Sequence, residues 1–266
     1  MACKSSEIVN TAHALADAAR GAILPWFRAD HIGVENKAGA HAAYDPVTAA
    51  DKAAEQAMRA VLAERRPEDG ILGEEFGAAP GSSGLTWVLD PIDGTRAFVA
   101  GAPTWGVLIA VSDHDGPVYG LIDQPYIGER FEGGFGRAGM QGPQGERVLK
   151  TRGDRPLSEA TVFTTFPEVG TAAEGEAFRA VAAQARLTRY GLDCYAYALV
   201  ASGQVDLVIE AGLNAYDIHA PIAVIEAAGG IVTDWTGGPA HDGGRVVAAA
   251  GREQHAAALE ILSRHV

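Results

Sequence analysis

The sequence predicts a fold of mixed α+β and α/β type, in one unit of two lobes covering residues 1–266. Three observations predict it. Two helix-period segments come first; strands and tight turns alone fill Gly106 to Arg147; and after Pro156 strands and helices alternate. The N-terminal lobe, about residues 1–150, is therefore expected to carry an antiparallel meander sheet, and the C-terminal lobe, about 151–266, a mixed α/β arrangement. There is no internal repeat and no low-complexity linker to divide the chain further.

Taken in order, residues 6–24 place Ile8, Leu15 and Ile23 among alanines and polar residues, an amphipathic helix stopped near Pro25. His31 to Ala43 has no period and is rich in Gly and Ala, so it reads as a mobile loop. A second helix runs from about Val47 to Arg66, with Met58, Val61 and Leu62 on one face and Pro67 beyond its end. Ile71 to Glu75 is a brief strand ending in two acids, and Gly77 to Gly84 a Gly- and Ser-rich linker. Trp87-Val88-Leu89 is a short buried strand. Val107 to Val111 and Val118 to Asp123 flank Asp113-His114-Asp115-Gly116, a hairpin signal, and Glu129 to Gly134 and Ala138 to Val148 continue the meander. Beyond it come a strand at Thr161 to Phe166, helices at Glu174 to Arg186 and Tyr195 to Ser202, and a strand at Val205 to Glu210. A helix from Asp217 to Ala228 is stopped by Gly229-Gly230, and strands at Ile231 to Thr233 and Val246 to Ala249 precede a closing helix from Glu253.

The chemistry concentrates in Trp87 to Phe98, WVLDPIDGTRAF. Asp90 and Asp93 follow the buried strand, with Pro91 fixing the backbone between them, and Gly94-Thr95-Arg96 start a helix. Two carboxylates at a strand end can converge on one spot and suit a hard divalent cation bound through oxygen. The amides of Gly94, Thr95 and Arg96 suit an anion, as helix N-termini do. The same Asp-Pro-x-Asp-Gly run is also ordinary turn chemistry. Together, cation- and anion-binding groups this close point to phosphate-ester chemistry.

Five acids stand at the ends of elements, where side chains can meet: Asp51, Glu74, Asp90, Asp93 and Asp217. Local readings compete for two of them. Asp51 is at capping-box spacing from Thr48, and Asp217 opens its helix as an N-cap would. Glu74 and Glu75 would face opposite ways in a strand, so at most one points inward. No His/Cys set has zinc spacing, and oxygen-only ligands favour Mg²⁺ or Mn²⁺ over Zn²⁺.

Composition excludes other classes. A net charge of −13 would be repelled by nucleic acid and by anionic membrane, and suits a cationic substrate or metal ions. Cys3 and Cys194 make no disulfide framework, which fits a reducing cytosol, and Cys194 as a lone thiol reads as packing. No apolar run reaches the ~18 residues of a membrane span. Lys4, Glu7 and Asp17 stand where a signal peptide would be apolar, so a cytoplasmic protein is expected.

GEE at 73–75, DPIDGT at 90–95 and YDIHAPIAVIEAAGG at 216–230, with VTAAD at 47–51, resemble in order and spacing the inositol monophosphatase family of metal-dependent phosphatases, over nearly the whole chain. The resemblance implies a layered αβαβα sandwich, a homodimer, a single catalytic unit, and two or three Mg²⁺ ions, Mn²⁺ being an alternative. Carried over by position, it implies that Glu74, Asp90 and the carbonyl of Ile92 bind one metal, and Asp90, Asp93 and Asp217 a second. Glu74 and Thr95 would hold the attacking water, Asp51 would accept a hydrogen bond from Thr95, and the amides of Gly94 and Thr95 would meet the phosphate. The physical logic agrees: a phosphomonoester dianion repels hydroxide, and clustered cations cancel that charge and acidify a bound water.

The alcohol is read from Tyr190 to Tyr216, where Asp193 and Glu210 offer two carboxylates to a positively charged leaving group. Locally, Asp193 also reads as a helix N-cap and Glu210 as a solvated strand end. GLDCYAYALVA, VDLVIEAGLNAYDI and DPIDGTRAFVAGAPTWG, with Arg96 and Trp105, resemble the histidinol-phosphate phosphatase branch. That branch implies a small phosphomonoester substrate, L-histidinol phosphate, held by Asp93, Gly94, Thr95, Asp193, Glu210 and Asp217, in a step of histidine biosynthesis. Inositol-directed members have small residues where Asp193 and Cys194 stand, and Trp where Tyr216 stands. EAAGG carries one more Ala than the family's usual EAGG, outside the metal set. The rival readings are an inositol-1-phosphatase or broad sugar and polyol phosphatase, and a non-catalytic metal- or phosphate-binding regulator. The intact acid set argues against the last. Arg96 and Arg189 are open between touching phosphate and pairing an acid, His219 is read as a helix-face residue, and His31 to Ala43 is the segment expected to close over substrate.

Overall fold

A computed structural model of the chain describes residues 2–31, 33–36 and 46–265. Most of the loop expected at His31 to Ala43, residue 32 and residues 37–43, lies outside the described residues. Helix α1 spans Ala2–Ile23, opening ahead of the expected start, and buries a stripe of Ile8, Ala12, Leu15, Ala19 and Ile23 at helical spacing. Strands β1 (Glu35–Asn36) and β2 (Pro46–Val47) form a small antiparallel pair. Helix α2, Ala49–Arg65, is capped by Thr48 and buries Ala50, Ala54, Met58 and Leu62. The two helices pack against each other.

The large sheet follows: β3 (Gly70–Gly73), β4 (Gly77–Ala79), β5 (Thr86–Asp93), the short helix α3 (Thr95–Val99), β6 (Gly106–Ser112), β7 (Pro117–Gln124), β8 (Glu129–Gly134), β9 (Arg137–Gly142) and β10 (Gly145–Val148). Its order is β10-β9-β8-β7-β6-β5-β3-β4, antiparallel except for the parallel pair β3–β5. Two expectations change. The stretch read as a linker contributes β4, which pairs with β3, so its small residues form an edge strand. The segment Ala138 to Val148 is two strands, because Pro143 lacks an N–H for the ladder and Gly145, at φ +99°, completes the turn.

The second sheet is built from β11 (Thr161–Thr164), helix α4 (Ala172–Ala182), β12 (Leu187–Tyr190), helix α5 (Cys194–Ala201), β13 (Leu207–Leu213), helix α6 (Ala215–Ala227), β14 (Ile231–Asp234), β15 (Gly244–Ala249) and helix α7 (Arg252–Leu262). Its order is β12-β11-β13-β15-β14, with β11 parallel to both β12 and β13. Strand β12 escaped the sequence because it is an edge strand with Leu187 and Tyr190 exposed, and so has no buried alternation.

Period-2 side-chain alternation sorts these elements into layers. On β6, Val107, Ile109 and Val111 join a core with α1 and α2. Leu108 and Ala110 face the other way, into a core with α5, α6 and Val208, Val246 and Ala248 of the second sheet. Leu207, Ile209, Val247 and Ala249 face away again, onto Ala177 and Phe178 of α4 and Ala258 of α7. The result is helix pair, sheet, helix pair, sheet, helix pair. The central helix α6 lies close on β7 and β8. A Cβ on Gly120 would stand 2.4 Å from the carbonyl oxygen of Ala220, and one on Gly133 2.5 Å from that of Ala223. Among the described residues no helix is long and apolar enough to cross a membrane.

Candidate active site

A cavity of about 360 Å³ opens where the C-terminal ends of β5 and β13 meet the N-terminal ends of α3, α5 and α6. Of the sequence-predicted residues, Glu74, Asp90, Ile92, Asp93, Gly94, Thr95, Asp193, Glu210 and Asp217 all line it. Asp51 stands behind Thr95.

The backbone explains why Asp90 and Asp93 converge. In a regular strand, residues three apart face opposite sides. Here Asp90 pairs with Leu108 and Asp93 with Gly106, so two residues of β5 oppose one of β6. That bulge absorbs one step of the alternation and returns both carboxylates to one side, and Pro91 fits within it because no ladder donor is needed there. Gly94 then takes φ +84°, a left-handed conformation that suits Gly, and turns the chain into α3. Asp90 Oδ1 accepts a hydrogen bond from the Ile92 amide at 3.0 Å.

Asp217 arrives from α6. It is not the N-cap that its position suggested: Asn214 is, and Asp217 at the third helical position accepts from the Asn214 amide at 2.6 Å. Oxygens of Asp90, Asp93 and Asp217 lie within 4.8 Å of one another. Burial, then the charges of Glu74, Asp93 and Asp217, push the Asp90 carboxyl well above its usual range. Burial, then Asp193 and Asp217, do the same to Asp93. Asp217 is raised to about 6 by burial, against the bonds from Asn214. One buried and two half-buried acids so placed favour protons or a cation over empty charge, and an all-oxygen set fits a hard divalent ion.

Glu74 follows β3 in a turn braced by a residue that the sequence reading passed over. Glu55, fully buried on α2, accepts from the amides of Glu75 at 2.7 Å and Phe76 at 3.2 Å. A charged residue on the face that carries Ala54, Met58 and Leu62 was the available signal. Glu74 lines the cavity and Glu75 does not. For Asp51 both local readings hold at once. Oδ2 accepts from the Thr48 amide at 2.8 Å and hydroxyl at 2.5 Å, closing the capping box, while Oδ1 lies 3.3 Å from the Thr95 hydroxyl. The Thr95 hydroxyl is also 3.0 Å from the Ile92 carbonyl oxygen, so it has two acceptors to choose from.

The opposite end of the cavity carries Asp193 and Glu210. Asp193 makes no side-chain cap to α5; at φ +46° it turns its carboxylate to Thr104, whose hydroxyl donates at 3.2 Å. Glu210 is not a solvated strand end: it is 7% exposed and accepts from Thr164 Oγ1 and from the amide and hydroxyl of Thr165. Burial raises Glu210 to about 7 against those bonds, and raises Asp193 to about 6 against Thr104 and the Arg96 charge. Arg96 lies with its guanidinium 4.9 Å from the Phe166 ring centroid, and both residues line the cavity. Cys194 donates its amide to Asp93 Oδ2 at 2.6 Å, while burial pushes its thiol well above the usual range, away from nucleophilic use. His219 is a core residue, 2.7 Å from both Ser112 Oγ and the His241 carbonyl. Arg189, on β12, does not reach the cavity.

Known proteins resemble this chain in sequence and fold. A "Bifunctional phosphatase IMPL2, chloroplastic" of Arabidopsis thaliana is 41% identical over 264 residues, covering 95% of this chain and 74% of the relative. A "Histidinol-phosphatase" of Streptomyces coelicolor is 36% identical, covering 91% of each. The solved structure of an inositol monophosphatase from Zymomonas mobilis superposes with a TM-score of 0.83 at 39% identity, over 97% of this chain and 98% of that one. Residues 4–266 match the inositol monophosphatase family as a whole, and the bulged DPIDGT strand, the acid-bearing α6 and the layered fold are therefore those of a member: the chain belongs to the inositol monophosphatase family.

Proposed function

We propose that this metal-dependent phosphatase hydrolyses L-histidinol phosphate to L-histidinol and phosphate. The observation that carries the reading is the pair Asp193 and Glu210, one half-buried and one buried acid, in the same cavity as the Asp90, Asp93 and Asp217 cluster. A neutral polyol gives two such carboxylates no counter-charge, whereas an amine and an imidazole do.

In this reading Glu74, Asp90, Asp93, Asp217 and the Ile92 carbonyl hold two or three Mg²⁺ ions, or Mn²⁺. Bound there, such cations would neutralise the phosphate's charge and acidify a water. The chain's own groups do the rest. Thr95 donates its hydroxyl in a hydrogen bond to Asp51 or to the Ile92 carbonyl, which leaves its oxygen free to accept a hydrogen bond from the water. The Glu74 carboxylate orients that water from the other side and takes its proton as attack proceeds. The capping box holds the Asp51 carboxylate by its Oδ2, so Thr95 is positioned from α2. The amides of Gly94 and Thr95 receive the phosphate, and Asp193 and Glu210 hold the alcohol. A second reading, inositol-1-phosphate hydrolysis, is favoured by the 39% identity with the Zymomonas mobilis inositol monophosphatase.

Phosphate release from L-histidinol phosphate and inositol-1-phosphate, with Mg²⁺ and with EDTA, tests both. The expected result is a strong, Mg²⁺-dependent preference for L-histidinol phosphate. Equal or reversed rates would remove the substrate and keep the phosphatase.

A further inference from the structure

Among the described residues four buried side-chain polar atoms lack a hydrogen-bond partner. Two of them, Arg155 Nε and Asp206 Oδ1, face each other at 3.5 Å as an ion pair. A third, Trp105 Nε1, belongs to an aromatic cluster with Phe27 and Phe98. The fourth is the hydroxyl of Tyr197, the one orphan among them whose residue lines the active-site cavity.

Tyr197 stands on α5, one turn beyond Cys194, and is 4% exposed. Tyr197 shares the lining of that cavity with Glu210, Asp93 and Asp217. The Glu210 carboxylate draws its three donors from Thr164 and Thr165, and Asp93 Oδ2 takes the Cys194 amide. A phenol set among carboxylates that are bonded elsewhere is a donor and acceptor held without a partner, which folded proteins seldom tolerate unless something else fills the gap. Burial also keeps the phenol protonated.

We infer that Tyr197 is a specificity residue that contacts substrate, its hydroxyl hydrogen-bonding the nitrogen-bearing end of the alcohol beside Glu210. This rests on the proposed reading of the cavity as a phosphomonoesterase site for a cationic alcohol. A phenol suits that partner in either form: it donates to a neutral imidazole nitrogen and accepts from an ammonium. Aromatic recognition at this depth adds direction to the undirected attraction of Glu210.

The test is Tyr197→Phe in the full chain with Mg²⁺, measured on L-histidinol phosphate and on p-nitrophenyl phosphate, whose alcohol has no nitrogen base, together with thermal melting. The expected outcome is a loss of kcat/KM of about 10-fold on L-histidinol phosphate, carried by KM, and less than about 2-fold on p-nitrophenyl phosphate. Tm should stay level or rise, since an unpaired hydroxyl is removed. Equal losses on the two esters, with or without a fall in Tm, would make Tyr197 a packing residue and overturn the inference, as would unchanged kinetics. Wild-type activity on another ester but not on L-histidinol phosphate would sink the substrate instead, and the same comparison on the preferred ester would then decide Tyr197. No hydrolysis of any ester would overturn both.

Discussion

Single residues in this site do two jobs, and spacing alone cannot separate them. Asp51 and Asp217 sit at the third position of their helices, each accepts from the amide of its helix's N-cap residue, and each also turns toward the cavity or the hydroxyl that borders it. The sequence pattern displayed the cap and the acid set as alternatives; a carboxylate has two oxygens, and Asp51 closes its capping box with one and offers the other to Thr95, whereas the N-cap place read for Asp217 belongs to Asn214. Asp193 and Glu210 went the other way, since a left-handed backbone and three threonine-derived donors removed their local explanations. Glu210, raised to about 7 by burial, is neutral below that pH and charged above it. KM for L-histidinol phosphate should therefore fall as pH rises from 6 to 8, and Glu210→Gln should flatten that fall. A wild-type profile that Glu210→Gln leaves unaltered would assign the titration to another group.

At the scale of elements, helices with strong caps were legible and edge strands were not. Met58, Leu62 and the Thr48–Asp51 spacing marked α2 to within a few residues. β4 and β12 lie at sheet edges with exposed side chains, so no alternation betrayed them. The bulge in β5 was visible only as DPID; that it restores two carboxylates to one side depends on the register with β6. The capping box of α2 gives a separable prediction. Thr48→Ala removes the hydroxyl that donates to Asp51 and accepts from the Ala50 amide. It should cost about 1 kcal/mol of stability, read as a lower denaturant midpoint. Turnover should drop further than that loss alone accounts for, because Asp51 loses a restraint while it faces Thr95. Full kcat in a destabilised variant would show that the cap and the site are independent.

Across the whole molecule, the meander and the strand–helix alternation were legible as patterns, whereas the layer order came from family resemblance, since pairing between distant strands leaves no local trace. The attachment of α1 to the large sheet was likewise hidden. Arg130 of β8 reaches both Asp123 and Asp17, and Glu132 meets the Tyr119 hydroxyl at 2.6 Å and His13 at 3.2 Å. The His13 bond, followed in effect by the Tyr119 hydroxyl and Arg137, outweighs burial and lowers Glu132 to about 2 from an ordinary 4.5. Its folded pKa is depressed, so its contribution to stability is complete above pH 4.5 and drains away as pH falls through 2. Melting curves should place Glu132→Gln below wild type at pH 6, with the gap closing toward pH 2. A gap of constant size would mean that the carboxylate charge is not what matters there.

The seat of α6 reaches beyond geometry. Gly120 and Gly133 touch nothing chemical, yet the helix that presents Asp217 rests its backbone on both. Natural selection acting on turnover would therefore guard these two glycines as strictly as the acids, and a survey of invariant positions would score them as if they handled substrate.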